Sequence, residues 1–152
     1  MNILLINHYA GSPDMGMEFR PYYMAREWVK MGHKVTIIAG DYSHLRRKNP
    51  SVKADFMEEK IDEINYCWVK TGVYEGNGVK RALSMVRFTG KLWLKAKWIA
   101  KTFRPDAVIT SSTYPIDTYA GQRIRHFAPK AKLVHEVHDM WPITLIELGK
   151  MK

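Results

Sequence analysis

Two short runs, Ile3 to Ile6, apolar throughout, and Val35 to Ala39, apolar but for Thr36, flank a segment with helical spacing. Near-continuous apolar strands are buried on both faces, which is the condition of parallel strands covered by helices. The intervening segment, Met17 to Met31, sets Phe19, Tyr23, Trp28 and Met31 among charged residues and closes at Gly32, a helix C-terminal signal. Strand, helix and strand so close together make a βαβ unit, whose crossover is right-handed almost without exception. An α/β fold follows from the first quarter of the chain.

The remainder extends this pattern. Asp41 to Pro50 reads as a polar loop, and Ile64, Tyr66 and Trp68 then alternate with Asn65, Cys67 and Val69 as in a partly exposed third strand. Gly72, Gly76 and Gly78 break the chain before a helix spanning Val79 to Arg104, ended by Pro105. On a helical wheel Ala82, Met85, Val86, Leu92, Trp93, Ala96, Ile99, Ala100 and Phe103 share one side, the expected buried stripe. Ala107 to Ile109 forms a fourth strand, Ile116 to Phe127 a helix and Lys132 to Val137 a fifth strand. The prediction is a Rossmann-like, doubly wound and mainly parallel sheet of order 3-2-1-4-5, with residues 1–152 as a single domain. Leu148 to Lys152 carries neither a capped helix nor a completed strand, which reads as a cut through a longer polypeptide.

Composition narrows the function classes. With 46% hydrophobic and 12% aromatic residues the chain has the apolar surface that disordered sequences lack. No run approaches the roughly 18 apolar residues of a membrane span, and the start lacks a signal peptide, so a cytoplasmic protein is expected. The single Cys67 excludes an intramolecular disulfide and a cysteine-based zinc site. Lys and Arg number 24 against 15 Asp and Glu, a net charge of +9 that implies an anionic partner. Most of it is local: Lys80, Arg81, Arg87, Lys91, Lys95, Lys97, Lys101 and Arg104 lie on one predicted helix that has no acidic residue. Basic residues interleaved with Leu83, Phe88, Leu94 and Trp98 are the pattern of a helix lying in a membrane interface. Arg87, Phe88, Lys91, Lys95 and Trp98 are the candidate membrane-binding residues; a solvated basic face is the plainer alternative. A nucleic-acid-binding module, the competing use of such charge, would carry stacking aromatics on a sheet face or a reading-helix motif, and neither is evident.

In an open parallel sheet the site lies beyond the carboxyl ends of the strands, at the switch point. There Asn7 to Gly16, Thr110 to Pro115 and His138 to Pro142 converge. Gly11 and Gly16 suit an anion approaching the next helix, which Glu18 and Arg20 open. The spacing is no dinucleotide fingerprint, and this weighs against a nucleotide-sugar epimerase. His135, Glu136, His138 and Asp139 invite a metal reading, but strand alternation turns His135 and His138 to opposite sides, so no metal is expected; Glu136 and His138 share a face. His138 is the sharper candidate for acid–base or hydrogen-bonding work. Ser111, Ser112 and Tyr114 offer hydroxyls over the same cleft, without the motif of a hydrolytic nucleophile.

The run Ile6-Asn7-His8-Tyr9, through Gly11-Ser12-Pro13 and Gly16-Met17-Glu18-Phe19-Arg20-Pro21, to Gly32-His33-Lys34-Val35 resembles the start of bacterial glycosyltransferases of family 4. Glu63-Ile64-Asn65-Tyr66, Pro105 to Pro115 and Glu136-Val137-His138-Asp139-Met140-Trp141-Pro142 resemble later stretches of that family's amino-terminal half, in order, in the subgroup that builds capsule, O-antigen and exopolysaccharide. The resemblance implies a GT-B enzyme: two Rossmann-like domains transfer a sugar, with retention and without a bound metal, from a nucleotide diphosphate sugar to a glycan acceptor. It implies that this chain is the acceptor-side domain and that a carboxyl-terminal domain outside it holds the nucleotide. By position Gly11 and Gly16 fall near the donor phosphates, Ser111 and Ser112 on the acceptor side and His138 at the reaction centre, with Glu18, Arg20, Tyr114 and Asp139 as further substrate-binding candidates. A lipid-linked acceptor and a location at the inner face of the cell membrane go with that reading.

Overall fold

The structure, a computed structural model, describes residues 1–17, 19–76 and 78–138. Strand β1 (Asn2–Ile6) leads through a single 3-10 turn at Pro13–Met15 to helix α1 (Phe19–Lys30) and strand β2 (Lys34–Gly40). Strands β3 (Met57–Ile61) and β4 (Ile64–Val69), helix α2 (Val79–Phe103), strand β5 (Ala107–Thr110), helix α3 (Asp117–Phe127) and strand β6 (Lys132–His135) follow. Among the described residues six strands form one sheet, in the order β3-β4-β2-β1-β5-β6. All pairings are parallel except β3 with β4. The 3-2-1-4-5 order of the sequence reading is therefore present, and the fold is a Rossmann-like mixed α/β domain with one added edge strand.

That edge strand was hidden by its composition. Met57-Glu58-Glu59-Lys60-Ile61 is mostly polar, which suits an exposed edge and discourages pairing with other chains. It joins β4 through Asp62 and Glu63, at φ of 46° and 66°, the left-handed pair that closes a tight hairpin. Covered by β3, β4 is an interior strand, and its expected partial exposure is corrected: Tyr66, Cys67, Trp68 and Val69 are buried.

The sheet divides two cores. On one face Leu4, Ile6, Cys67 and Val69 meet Phe88, Leu92, Ala96 and Ile99 of α2 and Ala120 and Ile124 of α3. On the other, Leu5, Val35, Ile37, Tyr66 and Trp68 meet Tyr22 and Ala25 of α1. The alternation along each strand thus feeds both layers, the arrangement that all-apolar strands require.

Helix α2 departs from the expected stripe. Its buried positions are Ser84, Phe88, Thr89, Leu92, Ala96, Ile99 and Ala100. Ala82, Val86 and Trp93, placed in the core by the wheel, are exposed. Phe88, placed among the membrane-facing residues, is fully buried. A helix apolar on two sides defeats an averaging wheel: packing against the sheet and α3 selects the 84-88-92-96 line, leaving other apolar residues outside.

Candidate functional site

Because β1 lies between β2 and β5, the chain leaves the carboxyl ends of β1 and β5 toward opposite faces of the sheet, and the crevice there is the natural binding place. Backbone pairing continues one residue past the strands. The Ser111 N–H donates to the Ile6 carbonyl and the Glu136 N–H to the Thr110 carbonyl, each at 2.8 Å. Both residues are therefore fixed by the sheet.

Their side chains meet. The Ser111 hydroxyl donates to Glu136 Oε2 at 2.7 Å. His138 Nε2 lies 2.9 Å from Ser111 Oγ and 3.1 Å from Glu136 Oε2. From the first turn of α1, Arg20 ion-pairs with Glu136 Oε1. The Arg20 hydrogen bond, with further donation from Ser111, holds the Glu136 carboxyl at about 2, well below its ordinary value. An ionised carboxylate only accepts, so Nε2 carries the ring proton whenever His138 is neutral. Nδ1 is then the bare nitrogen, and it has no partner among the described residues. A sugar hydroxyl could donate to it.

The structure thus joins three of the sequence candidates, Arg20, Ser111 and His138, through Glu136. The sequence offers Glu136 within a metal reading and as sharing a face with His138, not as a site residue; the signal for it is a carboxylate two residues before His138 on the same strand side. His135 turns the other way, its Nδ1 lying 3.0 Å from Thr110 Oγ1 and 2.8 Å from Thr118 Oγ1. The two histidines do not converge.

Other candidates lie apart from this cluster. Ser112 and Tyr114 are as buried as Ser111, but their polar groups turn into a hub around His8 instead of toward Glu136. Ser112 Oγ accepts the His8 N–H at 3.1 Å, and the Ser112 N–H donates to Asp117 Oδ2 at 3.0 Å. The Tyr114 hydroxyl meets His8 Nδ1 at 2.8 Å, while His8 Nε2 lies 3.2 Å from Ser84 Oγ on α2. The ring of His8 stacks between those of Tyr9 and Phe88 at centroid distances of 4.5 and 4.6 Å. Gly16, at φ 84°, donates its N–H back to Ser12 and Pro13, so it closes a turn and presents no donor outward. The Gly11 carbonyl accepts from Tyr66 at 2.8 Å, and a side chain on Gly11 would collide with the Met17 carbonyl. Turn geometry accounts for Gly16 and the close approach of the Met17 carbonyl for Gly11. Glu18, Asp139 and the run Met140 to Pro142 lie outside the described residues. A concavity of about 780 Å³ lies at the opposite edge of the sheet, near Asn2, His33 and Arg104, away from all this chemistry.

His8 gives the fold a pH dependence. Burial first, then the charges of Arg46 and Arg81, push it down to about 3 from its ordinary 6.5. Between those values the unfolded chain binds a proton that the folded state refuses, so acidification below 6.5 destabilises and the full contribution is present only above it. Unfolding free energies from urea titrations should fall from pH 7 to pH 5 with a slope approaching about 1.4 kcal/mol per pH unit, one proton's worth. His8→Gln, if it folds, should flatten that slope; an unchanged slope would reject His8 as its source.

Compared with known proteins, residues 15–151 match the model of a family described as Glycosyltransferase Family 4. No curated protein and no solved structure matches the chain.

Proposed function

The chain belongs to glycosyltransferase family 4, and on that premise we propose that it is the acceptor-side domain of a retaining, metal-independent enzyme. This enzyme moves a sugar from a nucleotide diphosphate sugar to a lipid-linked glycan in surface polysaccharide synthesis. The observation that carries the reading is the Arg20–Glu136–Ser111–His138 cluster at the carboxyl edge of the sheet, where such a fold binds ligands. In it Arg20 is neutralised by Glu136, so the cluster is suited to sugar hydroxyls and not to holding a diphosphate. The departing nucleotide diphosphate develops negative charge and needs preorganised donors in a site closed to water. A second, carboxyl-terminal domain of the same polypeptide supplies them and brings donor and acceptor into one attack geometry.

The test is transfer of label from nucleotide diphosphate sugars into an organic-extractable product, with the anomeric configuration read by NMR. The polypeptide containing both domains should give a retained lipid-linked product, and residues 1–152 alone should give none. Turnover by residues 1–152, inversion at the anomeric carbon or transfer only to water-soluble acceptors would overturn the reading.

A further inference from the structure

Helix α2 has a second apolar line on the side away from the sheet. Val79, Leu83, Val86, Gly90 and Leu94 recur at helical spacing opposite Phe88, Leu92, Ala96 and Ile99. Val79 is 85% exposed, Leu83 43%, Val86 59% and Leu94 81%. Beside the last of these, Trp98 is 40% exposed and packs edge-on against Phe56 at 5.3 Å, forming one wall of a slot of about 390 Å³.

The charge around this line is of one sign. Lys80, Lys95, Lys97 and Lys101 are exposed, and the helix contains no Asp or Glu. Two of the expected membrane-binding residues do not belong with them. Lys91 binds Asp55 at 2.7 Å and the Lys70 carbonyl at 2.7 Å, and Arg87 reaches the Thr71 carbonyl at 3.4 Å. They turn back to hold the segment between β4 and α2.

We propose that the outer face of α2 docks on an anionic lipid bilayer, with Leu83, Val86, Leu94 and Trp98 entering the interface and Lys97 and Lys101 meeting the headgroups. Charge decides among occupants. A second copy would set this helix's uniform positive charge against its like, and nucleic acid would leave the apolar line in water. A bilayer bearing negative headgroups satisfies both the aliphatic line and the lysines beside it. The placement also serves the site. Since α2 links the carboxyl end of β4 to the amino end of the parallel β5, its first turns lie at the sheet edge that carries Ser111 and His138. A membrane along α2 therefore runs beside the crevice.

Vesicle binding needs no sugar donor, so this inference and the transfer reaction fail separately. Sedimentation of the chain with phosphatidylcholine vesicles should be negligible, and phosphatidylglycerol should bring it down, with a blue shift of tryptophan emission. Raising salt should weaken binding. Lys97→Gln and Lys101→Gln should each weaken it about fivefold, the worth of one basic residue near an anionic surface. Val86→Ser with Leu94→Ser should abolish it while leaving the melting temperature unchanged, because both side chains are already in water. Equal binding to neutral vesicles, or undiminished binding of the serine variant, would overturn the proposal. So would dimerisation without lipid that the serine variant abolishes, or retention on nucleic acid in place of vesicles.

Discussion

Phe88→Ala is expected to lower the free energy of unfolding by about 3–5 kcal/mol, the usual cost of emptying an aromatic core position. Phe88 lies in the layer between α2 and the sheet, near Leu92 and Ala96, and its ring lies parallel to that of His8 with 5° between the planes. Truncation would remove this contact and leave one side of the buried imidazole facing a cavity, with its hydrogen bonds to Tyr114 and Ser84 less constrained. Since domains of this size are stable by about 5–15 kcal/mol, the variant should sit close to the limit of folding. Urea denaturation measures the loss, and vesicle sedimentation of the fraction still folded separates the two roles considered for the residue. A core residue reduces stability and leaves binding per folded molecule intact. A shift below about 1 kcal/mol accompanied by lost vesicle binding would return Phe88 to the lipid face.

The contrast between Phe88 and Leu94 shows what the sequence makes legible. Strand order, helix bounds and the edge that carries the site are readable because continuous apolar runs and terminating Gly32 and Pro105 report local physics. Which apolar side of α2 is buried is not local: the helix carries apolar residues on two sides, and its packing on the sheet and on α3 decides between them. In the site, Arg20, Ser111 and His138 are readable from their positions at strand ends and a helix start. Ser112 and Tyr114 sit in the same segment as Ser111 and yet turn away from Glu136, because His8 gathers them into a polar core. Strand β3 escapes because three of its five residues are charged, a pattern that reads as loop until its hairpin partner is known.

His138→Ala, in the polypeptide that contains both domains, is expected to reduce kcat/KM by about 100-fold, the lower end of what a positioned acid–base group contributes, with little change in melting temperature. Its side chain keeps 23% of its surface in water and its polar partners are Ser111 and Glu136 at the sheet edge, so stability and activity should part company. Glu136→Gln tests how the imidazole is held. Loss of a charged hydrogen bond costs about 1.5–3 kcal/mol, and a neutral amide no longer dictates which ring nitrogen carries the proton. Activity should fall about tenfold or more, mainly in kcat, and nitrogen NMR of the histidine ring should change from a single Nε2–H tautomer to a mixture. The acid dependence has a definite sign. With its carboxyl held at about 2 against an ordinary 4.5, Glu136 contributes stability that is fully present above 4.5 and is lost as pH falls toward 2. The stability difference between the parent and Glu136→Gln should therefore fade across that window, and Arg20→Ala should move the window upward, since Arg20 is the chief cause of the depression. A melting temperature that falls as far as activity does in His138→Ala, or an unchanged tautomer in Glu136→Gln, would assign the cluster to structure alone.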